Sequence, residues 1–517
     1  MALAAIFSTS CQRGLVSADI ERSGPYSVGH EMIELGEQMD DPYSLTNMTK
    51  ALRSLYPTKA GTLSATDMYV RFLPKDEEQY DLLGDMGVSL VDHPLDYRIV
   101  KDGDYYHDPE IDEGKITWQY AVVKPDFPFP EKIRYEILDD CYIPDTSPVA
   151  RVSEDGIDWA AVEAEAYRIT GNEEMLSPQT KGGSGGPRGK IQIVDDKYNG
   201  GKPCGVKGVQ VSVNTFVKFA TAYTDEDGNY QIDKTYSSDI HYRLVFKNVK
   251  GFGIGFNLLL VPASISTLGK NSPDGIDVLI DKNSERKQFA RSVVNNAVYD
   301  YFTMTESTDQ SVRTPPSNLR MWLFQNIDMS CSPMFQQGAI IDSDVVSGIL
   351  GIYREILKIF MPDVLLGLKG CDDYASIYAA ALHQLAHTSH YMKTGNSFWD
   401  KLIIYNIKAY LKSGFIAYGT GTESDAGCCE VCEMWAYFMQ NSLYRDRYGK
   451  DCPAMGATYW FHPQIFLYLE DRGINRGKIF KALEGDVTDR DALEKRLLRF
   501  YPENKSIIEQ AFEKYSY

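Results

Sequence analysis

The chain has 517 residues, of which 24% are charged and 43% hydrophobic, with a formal net charge of -19. That composition is ordinary for a globular protein, and the negative balance argues against nucleic acid as a partner, because phosphate neutralisation needs a basic face. No apolar run approaches the ~20 residues of a membrane helix, and the length predicts roughly three domains, each able to bury a core.

The chain opens MALAAIFSTSC, short and apolar and closing on a cysteine after small residues. It resembles the tail of a bacterial lipoprotein signal with Cys11 as the acylated residue, which implies export to the cell envelope and a lipid anchor in its membrane. An ordinary frayed terminus is the alternative. Tyrosine is abundant at 34, which suits extracellular or polar-substrate surfaces. Nine cysteines leave eight once Cys11 is set aside, an even count that permits disulfides but is sparse for a disulfide scaffold.

Residues 1–40 read as this signal remnant followed by a polar tether. Residues 41–180 read as a small α+β domain. A helix is expected over Tyr43–Leu55, a strand through Met68, Val70 and Phe72, and an acidic helix over Asp76–Met86. Further strands are expected at Val88–Val91 and Trp118–Val123, a short helix at Pro130–Leu138 and an amphipathic helix at Ile157–Ile169. His93 and His107, beside Asp92 and Asp108, read as solvated surface pairs. Residues 181–189, rich in glycine, have the composition of a flexible linker and lack the lysine followed by serine or threonine at a helix start that a phosphate loop needs.

Residues 190–282 are β throughout, with alternation at Val209, Val211 and Val213 and again at Tyr242, Leu244 and Phe246. Gly205-Val206-Lys207-Gly208-Val209 and the turn Thr224–Tyr230 together resemble the carboxypeptidase regulatory-like (transthyretin-like) β-sandwich, an accessory module. The acidic turn fits no EF-hand spacing and reads as a hairpin turn.

Residues 283–517 turn helical, with helices expected over Ser284–Phe302, Ser343–Phe360, Asp373–Met392, Phe398–Lys412, Asp425–Leu443, Pro463–Arg472, Arg490–Phe500 and Lys505–Tyr515. Asp363–Lys369 is a strand-like run between the second and third of these. Within the third helix stands His383-Gln384-Leu385-Ala386-His387-Thr388-Ser389-His390, which holds three of the chain's 8 histidines. Offsets of four and three put the imidazoles on one helix face, and a pair one turn apart can converge on one metal ion. His390 lies about a further turn along, too far at ~1.5 Å per residue to share that ion.

The HxxxH spacing resembles the zincin metallopeptidase signature HExxH, with Gln384 where that family has its catalytic glutamate. The resemblance implies zinc held by His383 and His387, beneath a sheet edge that pairs with extended peptide. In the gluzincin branch the third ligand is a glutamate on a later helix, followed three residues on by a small residue. Glu433, with Ala436 after it, matches, and Tyr437 stands where an acid is usual. Glu430 is the alternative, as ligand, as support for a histidine or as a substitute base. Family glutamates take a proton from the attacking water; an amide orients water but does not deprotonate it. Tyr391, Tyr418 and His390 are candidates to stabilise an oxyanion. Cys428, Cys429 and Cys432 form a structural-zinc half-site without its second half, or a helix start with a disulfide to Cys371 or Cys452.

The expectation is therefore a multidomain α+β exported lipoprotein with a zincin-like C-terminal domain. It binds zinc and a peptide or protein ligand, with hydrolysis weakened or lost at Gln384. The alternatives are a non-catalytic peptide- or glycan-binding surface lipoprotein and a structural lipoprotein with an empty site.

Overall fold

The computed structural model describes residues 32–58, 63–112, 115–144, 156–177, 186–255, 263–307, 311–327, 329–339, 362–413, 417–456 and 458–515. Cys11, the expected helix over 343–360 and the first part of the glycine-rich stretch fall outside them. No helix among the described residues is long and apolar enough to cross a membrane.

The architecture is α+β, with sheets in the N-terminal part, a large central sheet and a mostly helical C-terminal part. The N-terminal part runs β1 (Glu34–Gln38), α1 (Leu45–Leu55), β2 (Asp67–Leu73), α2 (Glu77–Asp85), β3 (Tyr97–Lys101), β4 (Gln119–Val123), β5 (Arg134–Cys141) and α3 (Trp159–Ile169). β2 lies between β4 and β5, antiparallel to both, and β1 pairs with β3. So part of the stretch read as tether is strand. The expected helix at 130–138 is instead strand β5, because Arg71 and Tyr69 of β2 face Glu136 and Asp139 across an antiparallel ladder. The expected strand at 88–91 is reduced to one bridge, Val91 to Tyr120. His93 is also not on the surface. It is 2% exposed, its Nδ1 lies 3.0 Å from Asp92, and Arg243 of the next unit reaches its Nε2.

The central part holds β6 (Arg188–Ile193), β7 (Cys204–Gly205), β8 (Val209–Thr215), β9 (Lys218–Tyr223), β10 (Asn229–Gln231), β11 (Ile240–Asn248), β12 (Gly253–Gly255), β13 (Ile265–Asn271) and β14 (Val278–Ile280). β6, β7, β10 and β14 form one sheet, while β8, β9, β11 and β13 belong to another. Their inward residues, among them Ile191, Val211, Tyr242 and Leu244, share one core. The last residues of the glycine-rich stretch are built into this sheet. A Cβ on Gly189 would sit 2.0 Å from the Ile276 carbonyl oxygen, so only glycine lets the strands close. The acidic turn is closed by Asp225, which accepts from the backbone N–H of Asp227 and Asn229. It is not a hairpin: β9 pairs with β8, whereas β10 crosses to β6.

Helix α4 (Arg286–Glu306), β15 (Arg320–Phe324) and β16 (Val364–Gly367) begin the C-terminal part. β12, β15 and β16 run parallel and join β11, so one sheet of order β16-β15-β12-β11-β8-β9 continues across position 282. Then follow α5 (Tyr374–Thr394), α6 (Asn396–Lys412), α7 (Ala426–Tyr448), α8 (Gln464–Glu470), α9 (Arg476–Ala482), α10 (Arg490–Phe500) and α11 (Lys505–Lys514). A single large core runs from the central strands through α4, α5 and α7. The N-terminal part is fastened to it where Phe216 and Val217, at the β8–β9 turn, enter the N-terminal core. Beside them the fully buried Lys218 and Glu163 meet at 2.8 Å.

Candidate metal centre

Helix α5 starts at a capping box, in which Asp373 accepts from the Ser376 backbone and Ser376 returns a side-chain contact. It ends where Gly395, at φ 74°, turns the chain into α6. Most of α5 between these ends is buried, as is α7 from Ala426 to Ser442 apart from Gly427. Such helices are held by packing on several sides and not by one apolar stripe. Trp435 of α7 locks the pair by donating its indole N–H to the Ala386 carbonyl at 3.1 Å.

Along this contact His383, His387 and Glu433 converge. The Nε2 atoms of the two histidines are 3.2 Å apart. Glu433 Oε2 lies 3.3 Å from His383 Nε2, and Oε1 lies 3.4 Å from His387 Nε2. All three residues are buried, and among the described residues theirs is the one group of three or more His, Cys, Asp or Glu placed to hold a metal ion. Four ligands at ~2.0–2.1 Å in a tetrahedron stand about 3.3 Å from one another. The Nε2–Nε2 distance matches that spacing, and each histidine has one oxygen of the Glu433 carboxylate at a similar distance, Oε2 for His383 and Oε1 for His387.

The protonation pattern fits the same purpose. His383 Nδ1 faces the Gln440 side-chain oxygen at 3.2 Å, an acceptor with no proton of its own. With the His383 proton on Nδ1, given to this acceptor, the Nε2 lone pair is left for a metal ion. His387 Nδ1 faces Cys432 Sγ at 3.2 Å. Burial pushes the His387 imidazole down to about 4, against the pull of Glu433, with His383 adding to the fall. The ring is thus neutral near pH 7. Burial works the other way on Glu433, but His387, His383 and a hydrogen bond from Tyr418 outweigh it and hold that carboxyl below its usual range. Two imidazoles and one carboxylate are a donor set suited to zinc and similar divalent ions.

The remaining expected residues divide cleanly. Gln384 is 1% exposed, and its side-chain oxygen accepts from the Ser332 hydroxyl at 2.9 Å, while the same hydroxyl is 3.2 Å from the Gln384 carbonyl. Ser332 is fixed by Trp399, which donates to its carbonyl at 2.8 Å. Strand β16 was expected to form the edge above the site, but Cys331 bridges antiparallel to Leu365, so the chain at 331–334 covers that edge. Glu430 turns to His462 at 2.7 Å and Arg490 at 3.1 Å, and is not in the metal-ready group. His390 packs against Phe398 and Trp399 with neither ring nitrogen hydrogen-bonded. The Tyr391 hydroxyl lies within hydrogen-bond distance of both the Gln337 carbonyl and the Asn396 side chain, for which it has one proton to give. Of the three oxyanion candidates, Tyr418 alone bonds a member of the triangle, from a backbone held at φ 62°.

The cysteines form no metal group among the described residues. Cys371 and Cys452 are both free, so the expected disulfide is not formed. Each points into its own packing: Cys452 belongs to a cluster with Ala375, Ala379 and Tyr444.

Sequence reasoning did not single out Gln440, Cys432 or Ser332 in these roles. Gln440 is two helical turns beyond Glu433, on the same face, so its position was readable once Glu433 was chosen. Nothing in the sequence marks Ser332, which reaches Gln384 only through the fold. Compared with known proteins, the chain matches no protein-family model and no curated protein.

Proposed function

We propose that this chain is a zincin-like metal-binding protein of the gluzincin type, with zinc held by His383, His387 and Glu433 and with peptide hydrolysis weakened or lost. The convergence of the two Nε2 atoms, 3.2 Å apart, with the Glu433 carboxylate in one buried group carries this reading, since that spacing suits ~2.0–2.1 Å bonds to one ion. Zinc in such a site supplies Lewis-acid polarisation of a carbonyl and a lower pKa for water. The chain's own residues orient it: Gln440 and Cys432 set the two imidazoles, and Tyr418 sets the carboxylate. A proton-accepting carboxylate at position 384 is what the chain lacks. The Cys11 motif is consistent with an exported, lipid-anchored protein, and the central strands with a carboxypeptidase regulatory-like module.

A second reading, a non-catalytic peptide- or glycan-binding surface protein, is favoured by the Ser332 contact. A hydrogen bond that fixes the amide of Gln384 suits a binding group better than a proton carrier. A peptide-cleavage assay on the metal-loaded wild type and on Gln384→Glu separates the two. Measurable hydrolysis by the wild type supports the first reading. Activity that appears only in Gln384→Glu identifies a peptidase-like site disabled by one substitution, which leaves the wild type the binding role of the second reading, and inactivity of both counts against a peptidase-like arrangement.

A further inference from the structure

The N-terminal part meets the central sheet along a seam that holds two of the chain's 8 histidines. His93 comes from the N-terminal side. Its Nδ1 lies 3.0 Å from Asp92, which also accepts the Tyr106 backbone N–H, and its Nε2 lies 3.4 Å from Arg243. His241 stands two residues before Arg243 on β11, so both project from the same face of that strand. Between the two parts is a cavity of about 20 Å³, lined by His93, Tyr97, Met175, Asn214, Phe216 and His241 among others. That is enough for water to enter.

The contacts at this corner suit neutral rings. With the His93 proton on Nδ1, facing Asp92, Nε2 can accept from the Arg243 guanidinium, which has donors and no acceptor. Arg243 is 4% exposed; its Nη1 donates to Asn214 Oδ1 at 2.9 Å, and its Nε has no partner among the described residues. A protonated His93 would turn an N–H toward that guanidinium, donor against donor and cation against cation. His241 Nδ1 is buried without a partner. Around its ring stand Arg243, Asp102 from the N-terminal side, and Lys270, its neighbour on β13. A charge on His241 would thus meet two cations and one carboxylate.

We infer that this seam is an acid-opened joint, in which protonation of His93 and His241 drives the N-terminal part off this corner of the central sheet. Burial lowers His93 against the pull of Asp92, with Arg243 adding to the fall. Burial, then Arg243, lower His241 to about 3, with Asp102 opposing. Both folded values lie below the ordinary ~6.5 of a histidine, so the joint is at full strength above about pH 6.5 and weakens as pH falls below it. Thr267 to Asp102 at 2.6 Å and Arg291 to Asp104 at 3.1 Å span the same seam without a histidine. None of these residues belongs to the metal-ready group.

Hydrogen exchange of the full chain at about pH 7.5 and about pH 5, corrected for intrinsic rates, reads the joint segment by segment. In the wild type, protection across 91–97 and 240–245 falls roughly tenfold or more between the two, since one unit of pKa lowering is a factor of ten. Helix α10 keeps its protection. His93→Gln combined with His241→Gln, which cannot gain a proton, holds protection within about twofold at both pH values. Arg243→Gln removes the cation facing His93 and reduces the fall, and it decides the matter if the double variant does not fold. Unchanged wild-type protection in both segments overturns the inference. So does a fall equally deep in α10, which is unfolding of the whole molecule, or a fall in either variant as large as in the wild type.

Discussion

Gln440 provides a graded test of how the centre is built. Its side-chain oxygen faces His383 Nδ1 at 3.2 Å, and the residue is 6% exposed on α7. Gln440→Leu keeps the volume and removes the acceptor, leaving a buried imidazole N–H unpaired at a cost of about 1–3 kcal/mol. With the tautomer no longer enforced, zinc affinity should fall about 10–100-fold, the usual scale for losing a histidine's outer partner. Gln440→Glu restores an acceptor and should return most of that loss. Zinc competition against a chromophoric chelator measures both, with Ser442→Ala as control, since Ser442 bonds Glu470 on another part of the same helix. If Gln440→Leu binds zinc within about twofold of wild type and unfolds at the same denaturant concentration, His383 is not oriented in this way.

Three other expectations follow from buried polar groups. Lys218 and Glu163, 0% and 1% exposed and 2.8 Å apart, join the central sheet to α3; Lys218→Met alone should cost about 3–5 kcal/mol in urea unfolding, and the double replacement with Glu163→Leu much less. Asp41 is pushed up to about 8 by burial, with Tyr43 N–H opposing and Asp96, Asp139 and Asp40 adding. Its folded value exceeds its unfolded one, so its contribution is full below about pH 4 and is lost as pH rises toward 8. Asp41→Asn should flatten that decline and leave the protein several kcal/mol more stable at about pH 8, which a series of melts against pH would show. A flat wild-type profile would refute it. His390, with both nitrogens unpartnered between Phe398 and Trp399, should accept His390→Phe with unchanged or increased melting temperature. Burial, then His387 and Lys393, hold its imidazole at about 3, so the wild type loses stability as pH falls from about 6.5 toward that value and the variant loses less.

Much of this was readable from the residues, and the reason is local periodicity. Helix α5 announces itself through the alanine-rich apolar run before His383 and the Asp373 cap, and α7, although it runs on to Tyr448 past its expected end at Leu443, also lay where it was expected, so His383, His387 and Glu433 fell on recognisable elements. Strand β5 was missed because Tyr135, Ile137 and Leu138 are exposed on an edge strand, which removes the apolar alternation that marks a half-buried strand. His93 was misread because its partner Arg243 lies 150 residues away in another unit. The roles of Ser332 and of the edge-covering chain at 331–334 were likewise set by tertiary contact alone. Gln440 was within reach, seven residues on from Glu433 along the same face of α7.

Metal content of the purified full-length protein tests the central claim most directly. After incubation with zinc and removal of excess, elemental analysis should find one zinc ion per chain in the wild type, and none retained by His383→Ala or by Glu433→Ala. A wild type that retains no zinc, or variants that retain as much as the wild type, would contradict a centre built on His383, His387 and Glu433.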